Sequence, residues 1–219
     1  MIDAENLTLE ELAIALAPAL ADAAIFDGWG EQALATAAQL EGVDADVARL
    51  AFPDGAMDMI AAWTASIDRR MAESLDPVEL ASMKIRERIR TLVLFRLEAA
   101  LPQREAVRRA IAVMLLPGNI RRSLRLGWRS ADLMWRMAGD RATDYNHYSK
   151  RAILASIYAA TLSVFVNDDS EGQGETHAFL DRRIDDVMQF EKTKASLLKP
   201  GMERFSVTRL LGRLRYPAI

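Results

Sequence analysis

Apolar residues recur at three- and four-residue intervals along most of the chain, a period that predicts a succession of helices. Leu9, Leu12, Ala13, Leu16 and Leu20 open a first helix over about 9–25, with Thr8 as its cap, Glu10 and Glu11 in the favourable first turn, and Pro18 expected to kink it. The turn Phe26-Asp27-Gly28-Trp29 leads to a second helix over about 31–41, and Gly42-Val43-Asp44 leads to a short third over about 45–52, ended by Pro53. Met57, Ile60, Ala61, Trp63 and Ile67 mark a fourth over about 56–73. Asp76 and Pro77 suit the cap and first position of a fifth reaching about 101, with Ile85, Ile89, Leu92, Val93 and Leu97 along one side. Pro102 and Pro117 bracket a sixth, built on Val107, Ile111, Met114 and Leu115, and a seventh covers about 119–137.

The eighth helix, about 144–166, is apolar nearly all round after Arg151, through Ile153, Leu154, Ile157, Tyr158, Leu162, Val164 and Phe165, which predicts a helix buried at the centre of a bundle. A polar loop from Asn167 to Gly174 precedes a ninth helix over about 175–198, with Phe179, Leu180, Ile184, Val187 and Met188 facing inward. Pro200-Gly201 then separates a tail in which Val207, Leu210, Leu211 and Leu214 form a narrow apolar stripe while Arg209 and Arg213 project elsewhere, the pattern of a helix lying in a membrane interface. The expected organisation is three regions: an acidic three-helix end over 1–60, a helical body over 61–199, and an amphipathic membrane-binding tail over 200–219.

At 219 residues, about half of them hydrophobic, the chain can bury a large core. It has no cysteine, which excludes disulfides, thiolate metal sites and a cysteine nucleophile. The first residues carry neither a secretory signal nor an Arg-rich transit pattern, and the longest apolar run, 152–167, is shorter than the ~20 residues a membrane span requires. The expectation is a cytoplasmic protein, peripherally associated with the inner membrane.

The net charge of −3 conceals an asymmetry: residues 1–60 hold Arg49 alone against twelve acidic residues, whereas Lys84 to Arg136 hold 13 basic residues and four acidic ones. Three short helices with a Gly turn before the third have the form of a DNA-reading helix-turn-helix, and a transcriptional regulator binding DNA and a hydrophobic ligand is the alternative reading. Duplex DNA is held first by cations on its phosphates, and the would-be recognition helix carries Asp44 and Asp46 against Arg49, so DNA is not expected as a partner. The basic middle of the chain suits an anionic membrane surface.

One stretch mixes large apolar and titratable side chains without a clear polar face. Met134, Trp135 and Met137 are followed by a Gly139-Asp140 break and then by Thr143, Asp144, Tyr145, His147, Tyr148, Lys150 and Arg151, which predicts a helix-turn-helix corner. Aromatic, Met and Arg side chains in one patch are the composition of an interface centre.

The run W-x-x-A-G-D-x-x-x-D-x-N-x-Y-x-x-R, carried by Trp135, Ala138, Gly139, Asp140, Asp144, Asn146, Tyr148 and Arg151, resembles the signature of the ubiquinone (coenzyme Q) biosynthesis accessory proteins of the Coq-nine type. Ile157-Tyr158 to Thr161, Thr176, Phe179-Leu180 and Arg183-Ile184 continue it, and Phe26 to Trp29, Ala33-Leu34 and Phe52 to Ala56 resemble the bacterial members, so the likeness spans most of residues 9–188. His147 stands where many relatives carry Trp. The resemblance implies an all-α, TetR-like helical bundle with a degenerate helix-turn-helix end, which dimerises through its last two long helices. It implies a lipid-binding homodimer that binds an isoprenoid quinone precursor or other lipid and presents it to a di-iron hydroxylase of ubiquinone synthesis.

Leu92, Phe95, Ile111, Met114, Leu115, Ile157 and Phe165, on the fifth to eighth helices, are the candidate lipid-binding residues. The candidate partner surface is Met134, Trp135, Met137, Asp144, His147, Tyr148 and Arg151, and the candidate membrane contacts are Val207, Arg209, Leu210, Leu211, Arg213 and Leu214. No catalytic or metal-ligating residue and no cofactor are expected: the two histidines, His147 and His177, lack a Glu three positions before them, and no H-E-x-x-H, G-x-S-x-G, Walker or G-x-G-x-x-G motif occurs.

Overall fold

A computed structural model of the chain describes residue 2, residues 4–141 and residues 145–197. All regular structure among them is helical: α1 (Leu9–Asp27), α2 (Glu31–Glu41), α3 (Ala45–Leu50), α4 (Ala56–Ser74), α5 (Pro77–Ser82), α6 (Ile85–Ala100), α7 (Arg104–Met114), α8 (Ile120–Met137), α9 (Tyr145–Phe165) and α10 (Gly174–Leu197), with short 3-10 turns between some of them. The chain forms two compact units, residues 1–181 and 182–219. In the second, the described part is the continuation of α10, where Arg183 pairs with Asp186 at 2.7 Å.

The caps explain most boundaries. The Thr8 hydroxyl accepts from the Glu11 amide at 3.3 Å while the Glu11 carboxylate accepts from the Thr8 amide at 2.9 Å, a reciprocal capping box. Asp44 and Asp76 accept the first amides of α3 and α5. Pro18 lies within α1, and the helix continues past it.

The single long helix expected from 77 to 101 is in fact two. Met83 and Lys84 are extended, and α6 restarts with the Glu87 carboxylate on the Lys84 amide at 3.0 Å. Arg88 makes this break tolerable: its guanidinium donates to the Ala81 carbonyl at 2.7 Å and the Met83 carbonyl at 2.9 Å, satisfying acceptors that a helix end leaves open.

α1 packs against α2, α4 and α7, while α4 also meets α6, α7 and α8, so α4 joins the acidic end to the rest of the first unit. The core contains Leu12, Leu16, Leu20, Met59, Ile60, Met71, Leu92 and Leu97. Trp29 anchors the Gly28 turn: its ring lies 5.3 Å from that of Trp63, and its indole N–H donates to the Ala106 carbonyl of α7 at 2.9 Å. Arg96 of α6 is buried, ion-paired with Asp68 of α4, donates to the Ser130 hydroxyl of α8 at 3.2 Å and stands 5.0 Å over the Tyr158 ring of α9. One cation therefore links four helices.

Burial of α9 on every side is corrected. Arg151, Leu154, Ile157, Thr161 and Phe165 are buried, but Ala152, Ser156, Ala159, Ala160 and Ser163 form an exposed face. Those side chains are small, so leaving them in water exposes little apolar area. In the loop after α9, Asp168 is buried and its carboxylate accepts from the amides and hydroxyls of Ser170 and Thr176. Burial alone would raise its pKa; the four hydrogen bonds outweigh it and hold the carboxyl well below the usual aspartate range. Through Thr176 it also satisfies an open amide in the first turn of α10.

Candidate functional site

α8 ends on a Schellman motif: the Gly139 amide donates to the Arg136 carbonyl at 3.0 Å and the Asp140 amide to the Trp135 carbonyl at 2.9 Å. Gly139 takes the left-handed position with φ +87°. Arg88 reaches this turn too, donating to the Ala138 carbonyl at 2.8 Å, so one guanidinium closes the C-terminal ends of both α5 and α8. A Cβ at Gly139 would lie 3.2 Å from the Arg88 guanidinium.

The turn directs the Asp140 carboxylate at α9. One oxygen accepts from Lys150 at 2.7 Å and the other from Arg151 at 3.0 Å. Arg151 also donates to Asp132 of α8 at 2.6 Å and to the His147 carbonyl at 3.1 Å, and Asp132 holds Arg136 at 2.8 Å. Arg151 is 2% exposed. Three cations and two carboxylates thus form one network at the junction of α8 and α9, in which each charge has a partner.

Aromatic residues adjoin this network. Trp135 is half-buried, its N–H donating to the Lys150 carbonyl at 3.0 Å, with the Lys150 ammonium 5.3 Å from its ring. Tyr148 is 61% exposed, with its ring 6.1 Å from Trp128 and 5.1 Å from His147. Met137 and His147 are half-buried. The corner therefore combines an exposed Tyr148 and the half-buried Trp135, Met137 and His147 with an ionic network.

Two residues expected on the partner surface are corrected. Met134 is fully buried, because its face of α8 turns inward, and Arg151 is an internal tie because both its carboxylate partners lie inside the corner. Asp144 and the tail residues Val207, Arg209, Leu210, Leu211, Arg213 and Leu214 lie outside the described residues. Sequence reasoning missed Trp128, Asp132 and Arg88. The first two had a signal in their spacing, since Asp132 and Arg136 stand four apart and Trp128 precedes Trp135 by two helical turns. Arg88 had none, because its carbonyl partner on Ala138 is 50 positions away.

Of the candidate lipid-binding residues, Leu92, Ile157 and Phe165 are buried and Phe95, Ile111 and Met114 are half-buried. Leu115 is corrected: at 66% exposed it sits on the surface beyond α7, where the helix ends one residue earlier. No group of three or more His, Asp or Glu able to hold a metal ion occurs among the described residues, and none of their helices is long and apolar enough to cross a membrane.

The fold is that of a TetR-type protein: a TetR transcriptional regulator from Nitrosomonas europaea superposes with a TM-score of 0.65 at 23% identity, covering 81% of this chain and 98% of that one. Residues 120–191, which contain the whole corner, match the COQ9 family model. The ubiquinone biosynthesis protein COQ9, mitochondrial, is 34% identical in Rattus norvegicus over 180 residues and 32% identical in Homo sapiens, in each case over 80% of this chain. The corresponding protein of Schizosaccharomyces pombe is 26% identical over 86% of this chain and 74% of its own length. The chain spans a little over half of the rat and human proteins, 58% and 57% of their lengths.

Proposed function

Residues 120–191 belong to the COQ9 family, and on that premise we propose that this protein is a non-catalytic accessory protein of ubiquinone biosynthesis, which binds an isoprenoid quinone precursor and presents it to a di-iron hydroxylase. The observation that carries the proposal is the corner itself: the matched segment coincides with an ion-locked helix junction whose outward face is aromatic. Trp135, Met137, His147 and Tyr148 are the partner contacts; a half-buried Trp and an exposed Tyr are the residue types that dominate interface energetics. Leu92, Phe95, Ile111, Met114, Ile157 and Phe165 receive the apolar tail, whose burial contributes about 25 cal/mol per Å² toward extraction from a bilayer. A second copy covers the small-residue face of α9, making the protein a homodimer, and Val207, Leu210, Leu211 and Leu214 with Arg209 and Arg213 hold it to the membrane.

A regulator that binds DNA is the weaker reading. Arg49, the one cation among the first 60 residues, is occupied by Glu31 at 3.2 Å and by Asp46, and the neighbouring charges are acidic. Native mass spectrometry of the purified full-length chain tests the carrier reading: a co-purifying quinone or isoprenoid lipid is expected, and a mass equal to protein alone under conditions that retain lipids refutes it. Capture of the hydroxylase by Tyr148→Glu should fall at least tenfold with the melting temperature unchanged; undiminished capture removes the corner as the partner surface.

A further inference from the structure

From Ala106 to Ala131 the chain has no Asp or Glu and six Arg. Three of these are engaged within the fold: Arg108 with Glu105 and the Val166 carbonyl, Arg109 with Glu105 and the Phe26 carbonyl, and Arg122 with Asp54 and Asp58. Arg121, Arg125 and Arg129 are exposed and form no ion pair among the described residues. Four positions apart, they make one row along α8.

The neighbouring row is apolar and equally uncovered. Ile120 and Leu124 are 41% and 71% exposed, and Leu115 and Leu116, just before α8, are 66% and 55% exposed. A scattered surface leucine needs no explanation, but four large aliphatic side chains within ten residues form a patch that soluble surfaces rarely carry without use. The apolar row runs through Ile120 and Leu124 to Trp128, whose ring meets the exposed Tyr148 of the corner.

We propose that this edge of the molecule, Leu115, Leu116, Ile120 and Leu124 flanked by Arg121, Arg125 and Arg129, is a second membrane contact, separate from the tail, which seats α8 on an anionic bilayer. The arginines reach headgroup phosphates while the aliphatic side chains enter the boundary of the acyl chains, as in helices that lie in the plane of a membrane. A nucleic acid would use the arginine row but give the aliphatic row no apolar partner, and no acidic residue of the segment repels lipid phosphate. The geometry carries a consequence for the function proposed above, on which this inference builds: with Trp128 adjoining Tyr148, docking α8 on the bilayer brings the corner to the lipid surface.

The absence of cysteine makes the test site-specific. The full-length chain is labelled with an environment-sensitive fluorophore through Leu124→Cys, and separately through Ala35→Cys on the exposed face of α2 or Leu210→Cys in the tail. It is then mixed with phosphatidylcholine vesicles with and without phosphatidylglycerol. The Leu124 label should shift to the blue and be quenched by brominated lipid on the anionic vesicles, with the Ala35 label unchanged. An arginine near an anionic surface changes partitioning about fivefold, so Arg121→Gln with Arg125→Gln and Arg129→Gln should weaken binding by roughly a hundredfold. A Leu124 label that stays water-like while the Leu210 label shifts overturns this second contact yet leaves the carrier reading standing; retained lipid in native mass spectrometry reports on that reading independently.

Discussion

Replacing Arg151 with Met tests whether the ionic network holds the corner together. Removing one member of a buried ion pair costs about 3–5 kcal/mol, because the remaining charge is left desolvated. Here the Arg151 side chain is 2% exposed, against 23% for Asp132 and 5% for Asp140. Asp132 keeps Arg136 at 2.8 Å and Asp140 keeps Lys150 at 2.7 Å, so neither carboxylate is stranded, and Met fills much of the volume of the arginine stem. Those residual partners place the loss near the lower bound, at about 3 kcal/mol. For a chain of this size that lowers the melting temperature by roughly 6–12 °C. The assay is a thermal melt of the full-length chain at neutral pH, repeated for Asp140→Asn and for the double variant. The double should lose about 1 kcal/mol less than the two single losses combined, since the partners act on each other. A melt for Arg151→Met within about 2 °C of the unaltered chain would refute the reasoning and show that apolar packing between α8 and α9 holds the junction without the charges.

Three further outcomes follow from the same geometry. Gly139→Ala places a side chain at φ +87° and against Arg88, and should cost about 1–2 kcal/mol in a denaturant titration, whereas Gly127→Ala, with open space around it, should not destabilise. Asp168 has a folded pKa depressed below its unfolded one, so its contribution is fully present above about pH 4 and is lost as the pH falls through the acid range; Asp168→Asn should remove roughly 2 kcal/mol at neutral pH and flatten the acid limb of the stability profile. Arg96→Met alone leaves Asp68 desolvated and should cost about 3 kcal/mol or more by thermal melt, while Arg96→Met with Asp68→Leu should recover most of that loss.

Helix positions were legible in the sequence because their determinants are local. The three- and four-residue apolar period, Thr8, Asp44 and Asp76 as caps, and Gly42 and Gly139 at positive φ act within a turn or two of chain, and the observed helices start and stop where those signals stand. The corner was visible for the same reason, and so was its kinship, since the motif from Trp135 to Arg151 is contiguous. What the period could not carry is which apolar residue is covered. Met134 and Leu115 have the same hydrophobic character in the sequence, yet one is fully buried and the other 66% exposed, because burial depends on which neighbouring helices arrive from distant parts of the chain.

The charged residues divide in the same way. The acidic end and the basic middle are properties of composition, so the sequence alone determined them and with them the expectation that DNA is not a partner. Only the tertiary structure decided that Arg151 faces Asp132 and Asp140 inside the corner, that Arg88 closes two helix ends, and that Arg121, Arg125 and Arg129 form no ion pair among the described residues and stand beside exposed leucines. An ion pair needs its partners within about 4 Å in space, and separation along the chain does not fix that distance until helices separated by many residues have packed.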